Sequence, residues 1–211
     1  MSPGGMLPVA RGHTGAMNAA PPAAAGSAGH ARIWVTSMGG PLVAVPVAAL
    51  TRWRGGTPAG MILGGMGTPD DYDRACAVEG LAGAIAVGDK GAQALVLADE
   101  PATTCYLPER QVFLRWLAAD SEAGLLAAAG RVLADPSIVW DDCGTWNTDG
   151  PAVLMDSANA GTDLGVEYPG GGQPEQAPVP LPSGNWRVRA IHTEVNGYTW
   201  VGLVHLLPAG P

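Results

Sequence analysis

The chain has 211 residues, 47% of them hydrophobic and only 14% charged, with a formal net charge of −8. That apolar share is enough for a real core, in one large domain or two small ones. The acid excess argues against a nucleic-acid binder, which needs Lys and Arg to displace counterions from phosphates, and no run of about 20 apolar residues is present to form a membrane-spanning helix.

Residues 1–31 are mostly Ala, Gly, Pro and Ser with almost no periodicity. Such a segment cannot bury enough apolar surface to offset its ordering entropy, so a disordered tail is expected. It also lacks the apolar h-region of a secretory signal, which points to a cytoplasmic protein. Three cysteines, Cys76, Cys105 and Cys143, without CxxC spacing suit free thiols in a reducing compartment.

The folded part is expected to be a single α+β domain over 32–211. "RIWVTSM" (32–38) and "GGPLVAVPV" (39–47) read as strands, and "AALTRW" (48–53) as a helical turn. The Gly-rich stretch 54–70 reads as a long loop, and "DYDRACAVEG" (71–80) is open between strand and short helix. "AGAIAVG", the turn "DKG" and "AQALVLAD" predict a hairpin over 82–99, followed by strands in "TTCYLPER" and "QVFLRWLAA". "DSEAGLLAAAGRVLADP" (120–136) is the clearest helix, over about 120–135: Ser121 or Asp120 can cap it, Leu125, Ala128, Ala129 and Val132 recur at helical spacing, and Pro136 stops it.

"SIVWDDC" and "PAVLMDSA" read as strands, and 158–184 as a long Gly/Pro-rich connection. "NWRVRAIHTEV" and "YTWVGLVHLLP" form a closing hairpin, with Asn196-Gly197 predicting a type I′ turn. The fold class expected is α+β, mainly antiparallel sheet with one clear helix. An echo between 34–49 and 146–160, each followed by a hairpin (84–97 and 190–206), allows two related β-modules, 32–119 and 137–208.

Little here has the pattern of an active site. Cys105 has no histidine or cation specified beside it, as an activated thiol requires, and reads as a buried free cysteine. His192 and His205 sit at different levels of the closing hairpin, and no His/Cys cluster supplies the three or four ligands of a zinc site. Ser157 lacks the G-x-S-x-G of a nucleophile elbow, and the Gly-rich runs lack the lysine of a phosphate loop. No catalytic residue, cofactor or metal is therefore expected.

What remains is acid. Asp70, Asp71 and Asp73, then Asp99 and Glu100, then Asp141 and Asp142 form three clusters. Each reads as a solvated loop or as a docking surface for a basic partner, whose approach opposite charge accelerates. The 70–73 cluster is the favoured contact, because the long loop before it would leave it exposed.

The segments "WVTSMGGPLVAVPVAALTRWRG", "DYDRACAVEG", "ALVLADEPATTCYLPERQVFLRWLAAD" and "WNTDGPAVLMDSANAG…PVPLPSGNWRVRAIH" together resemble the Immunity protein 21 family, over about residues 32–208. The resemblance implies a non-enzymatic antidote that binds a cognate toxin domain of a bacterial polymorphic-toxin system, with no nucleic acid and no membrane involved. It transfers no functional residue. The residues alone leave open a structural interaction protein without a toxin partner, or a hydrolase using Cys105 or Ser157 with a histidine.

Overall fold

The computed structural model describes Met1 and residues 31–210. The expected tail thus lies outside the described residues, apart from Met1 and Ala31. In chain order the strands are β1 (Trp34–Val35), β2 (Leu42–Pro46), β3 (Gly83–Val87), β4 (Ala92–Leu97), β5 (Thr104–Leu107), β6 (Val112–Ala118), β7 (Asp141–Thr148), β8 (Ala152–Asp156), β9 (Gln176–Val179), β10 (Gly184–Glu194) and β11 (Trp200–Pro208). The α-helices are α1 (Asp71–Cys76) and α2 (Glu122–Ala134), with short 3-10 turns at Val47–Arg52 and Pro108–Arg110.

All strand pairs are antiparallel and form two sheets. One has six strands in the order β1-β5-β6-β11-β10-β7; the other has five in the order β3-β4-β2-β8-β9. The expected α+β class, mainly antiparallel, is what the chain adopts.

The period of two along each strand builds the layers. Leu42 and Ala44 of β2, with Leu95 and Leu97 of β4, face the other sheet, where they meet Phe113, Trp146, Trp186, Val188 and Val204. The alternate residues Val43, Val45, Ala94 and Val96 face outward and are covered by Ala49, Trp53 and Ala75 from the first 3-10 turn, the residue after it and α1. On the far side, α2 lays Leu125, Ala129 and Val132 onto Cys105, Leu114 and Leu203 of the six-stranded sheet. Both faces of the central strands are thus buried, which is why β2 and β4 read as near-continuous apolar runs rather than alternating ones. Ser121 caps α2 by accepting the Gly124 N–H, as its sequence indicates.

Several elements differ from the sequence reading. The 71–80 ambiguity resolves as the short helix α1, whose cap Asp70 and third residue Asp73 bond each other's backbone in a reciprocal capping box. Strand β7 begins at Asp141 rather than near Ser137, and the long 158–184 connection contains β9. The closing hairpin has a five-residue connection, Val195–Thr199, instead of a two-residue turn. Only Gly197 takes a positive φ there (76°), while the Asn196 side chain accepts the Thr199 N–H.

The 34–49 and 146–160 echo corresponds to a shared route: each segment runs from an edge strand of the six-stranded sheet (β1, β7) to one of two paired strands in the other (β2, β8). The two echoed hairpins do not correspond. The pair β3–β4 lies at the edge of the five-stranded sheet, whereas β10–β11 lies inside the six-stranded one, where β5–β6 holds the matching place.

Candidate functional site

Strands β6, β11 and β10 are neighbours, and their register sets Arg115 opposite Gly202 and Gly202 opposite His192. By the alternation that sends Phe113, Val204 and Ala190 inward, all three residues lie on the inter-sheet side of their strands. Glycine leaves a gap, and the two long polar side chains meet across it: an Arg115 Nη1 lies 3.3 Å from His192 Nε2. The same Nη1 donates to the Ala98 carbonyl at 2.6 Å, and Nη2 donates to the Glu100 carbonyl. Arg115 is 1% exposed. Burial pulls its pKa down to about 10, while the charges of Asp99 and Glu100 act the other way. The guanidinium therefore remains charged at neutral pH.

His192 closes the network. Its Nδ1 lies 3.1 Å from Asp99 Oδ2. Since Arg115 can only donate, Nε2 is the acceptor and Nδ1 carries the proton. Burial, then the adjacent Arg115 charge, hold its pKa below the ordinary value, with Asp99 and Glu100 opposing. A neutral imidazole with both nitrogens committed orients Asp99; it is not placed to accept a proton from a substrate. Asp99 itself has φ 62°, the left-handed region that non-glycine residues seldom enter.

Beside this network lies a pocket of about 270 Å³, lined by Asp99, Glu100, Trp116, His192 and Trp200 among others. The lining includes no Ser, Thr or Cys, so no hydroxyl or thiol nucleophile is among it. Trp116 is held by its indole N–H donating to the Ala119 carbonyl and by an edge contact with Trp34. Trp200 is exposed.

The other sequence candidates lie elsewhere. Asp71 and Asp73 are buried, which corrects the premise that their cluster is exposed and adjustable. Asp71 accepts the Arg54 N–H and pairs with Arg74; Asp70 accepts the Thr57 N–H; Asp73 accepts the N–H groups of Met61 and Ile62. These carboxylates pin the Gly-rich loop onto α1. Asp141 and Asp142 are exposed on the edge strand β7, where Asp142 pairs with Arg187 at 2.8 Å. That hydrogen bond, with another from the Gly144 N–H, holds Asp142 below its usual carboxylate range.

Cys105 is buried under α2, and desolvation pushes its thiol up to about 12. The structure does not bring it into a dyad with His192, whose nitrogens are taken. Ser157 is buried with no partner for its hydroxyl among the described residues, and Asp156 beside it accepts the N–H groups of Met38 and Ala158. His205 accepts from Arg189, away from His192, and among the described residues no three His, Cys, Asp or Glu side chains are grouped to hold a metal. No helix of the described residues is long and apolar enough to cross a membrane.

Sequence reasoning named Asp99 and Glu100 but missed Arg115, Trp116 and Trp200 around them. The available signal was a charged residue inside the apolar run "VFLRWL", because a buried arginine demands partners.

Neither the comparison with curated proteins nor that with solved structures finds a match. The family model of Immunity protein 21 matches residues 33–199, which hold every strand but β11, together with α2 and with Asp99, Arg115 and His192. That match covers most of the chain, so the chain belongs to the Immunity protein 21 family as a non-enzymatic immunity protein that neutralises a toxin domain by binding it.

Proposed function

We propose that the chain acts in the cytoplasm as a stoichiometric blocker, and that residues 32–211 are the unit that does so. The start of the family match at residue 33 supports that boundary, and three free cysteines suit a reducing compartment. In this reading the toxin meets the end of the sandwich that carries Asp99 and Glu100, with Asp141 and Asp142 as a second acidic edge. Asp70, Asp71 and Asp73 serve as the scaffold beneath a loop instead of as contacts.

One observation carries the choice of face: of the three acidic clusters, only Asp99 and Glu100 are exposed beside a concave surface walled by tryptophan. Interfaces take their affinity from a few desolvated anchors, with Trp enriched among them, and charge at the rim steers the encounter.

The test is stopped-flow association with the toxin domain encoded beside the gene, at two salt concentrations. Asp99→Asn/Glu100→Gln should slow association by about tenfold or more at low salt, within what steering supplies, and the difference should shrink as salt rises. Asp141→Asn/Asp142→Asn should act more weakly, because Arg187 already offsets Asp142. Equal association rates for all variants at both salts would remove these acids from the binding face. Failure of the wild-type chain to form a complex would remove the blocking mechanism itself.

A further inference from the structure

We infer that the pocket beside Asp99 is a receptor for one arginine side chain of the toxin. The inference rests on the blocking mechanism above and names what enters.

Size comes first. Pockets for small-molecule ligands typically run from about 300 to 1,000 Å³. At about 270 Å³ this one is below that range, suited to a single long side chain. Its lining includes the acidic Asp99 and Glu100 and the aromatic Trp200, without a hydroxyl or thiol residue.

Charge comes next. Asp99 and Glu100 contribute two negative charges, the buried Arg115 contributes one positive, and His192 is neutral. The site is thus short of one cation. Asp99 Oδ2 is held by the His192 N–H, while Oδ1 accepts no hydrogen bond among the described residues. The carboxylate is oriented by its neighbours yet keeps an acceptor for an incoming donor. The two Arg115 Nη groups do not fill that role, since they are turned to the Ala98 and Glu100 carbonyls and to His192.

The Trp200 indole selects between the two basic residues. A guanidinium stacks its plane on an indole while its edge donates in parallel to carboxylate oxygens; an ammonium is a compact, strongly hydrated point charge that loses more on entering. Trp200, exposed at the pocket mouth, is the natural stacking partner, and closing an arginine against it would bury its indole as well.

The first experiment uses the whole chain labelled at the tryptophan indoles and follows them by NMR. N-acetyl-arginine amide should shift the Trp200 signal saturably, more tightly than N-acetyl-lysine amide, and N-acetyl-norleucine amide should not. Asp99→Asn/Glu100→Gln should abolish the arginine response while leaving the other indole signals in their folded positions. No saturable shift, or an equal one from norleucine, would overturn the receptor; equal binding of lysine would overturn the assignment to arginine. The second measurement is affinity for the toxin domain. Trp200→Ala should weaken it by about tenfold, the scale of one cation–π contact. A toxin complex unaffected by both the carboxylate and the Trp200 variants would refute the receptor and leave the blocking mechanism standing. A wild-type chain that binds no toxin would refute that mechanism, while the arginine titration would still decide the pocket.

Discussion

Arg115 and His192 touch only because residue 202 is glycine. A Cβ added at Gly202 would lie 2.9 Å from the Arg115 Cβ and 3.0 Å from His192 Cδ2. Both strands flanking β11 would have to yield, and neither contact is with the tip of a flexible chain. Overpacking of this kind costs about 1–3 kcal/mol. Gly202→Ala should therefore lower the urea midpoint and, because Asp99 is held through His192, disturb the indole signal of Trp200. Unchanged stability and an unchanged Trp200 signal would show that the gap is not needed.

Acid should weaken the fold through its histidines. His205 is partly buried against the Trp140 ring and accepts from Arg189. Burial, then the Arg189 charge, lower its pKa to about 4. In the unfolded chain it titrates near about 6.5. Between these values the unfolded state binds the extra proton, so stability falls as pH falls through that window. His192, also shifted down, contributes in the same sense. His205→Gln keeps an acceptor for Arg189 and removes the titration. The loss in thermal midpoint between pH 7 and pH 4.5 should be smaller in this variant than in wild type; equal losses would mean that His205 protonates in the folded chain as readily as in the unfolded one.

The legible parts of the fold were those with a strong local cause. The cap at Ser121 and the stripe Leu125, Ala128, Ala129, Val132 define α2, and all four stripe residues are buried. The Trp186, Val188, Ala190 alternation is equally direct, since all three face the other sheet. Strand β9 was hidden because it is an edge strand with Pro178 in its interior, exposed and without an N–H to donate; in the middle of a strand proline is tolerated chiefly at such edges. Strand β7 was displaced because "DDCGTWNT" has few apolar side chains facing in. The network around Arg115 was beyond a local reading. Arg115 and His192 are 77 positions apart, and their contact depends on the register of two strand pairs, which no short motif encodes.

Trp186 separates two kinds of burial at one position. Its ring is 4% exposed in the inter-sheet core, opposite Trp146 on β7. Trp146 donates its indole N–H to the Gln93 carbonyl at 3.0 Å, but the Trp186 N–H has no partner among the described residues. Trp186→Ala should cost roughly 3–5 kcal/mol in denaturant unfolding, from lost apolar contact and the cavity left behind. Trp186→Phe should retain most of that, because it keeps much of the ring and removes an unpaired buried donor. A phenylalanine variant as unstable as the alanine one would mean that the indole N–H is bonded, for instance through water.

Asp73 tests how the Gly-rich loop is held. Three backbone N–H groups, from Met61, Ile62 and Asp70, converge on its two oxygens at 2.7 to 3.0 Å. Burial alone would raise its pKa; those three donors outweigh it and leave the carboxyl below its usual value. Gly60 is required at the same place, since a Cβ there would collide with the Asp70 carboxylate. The loop so fixed presents Met61, Ile62, Leu63 and Met66 to solvent, where large apolar side chains on an unpinned loop would be expected to collapse. Asparagine at position 73 has one acceptor oxygen and turns an NH₂ group toward at least one of the three N–H donors. Asp73→Asn should thus speed amide hydrogen exchange at Met61 and Ile62 and open the 57–66 stretch to limited proteolysis, while exchange in β4 and β11 stays slow. Exchange at residues 61 and 62 equal to wild type would show that the turn geometry of the loop, not the carboxylate, sets its conformation.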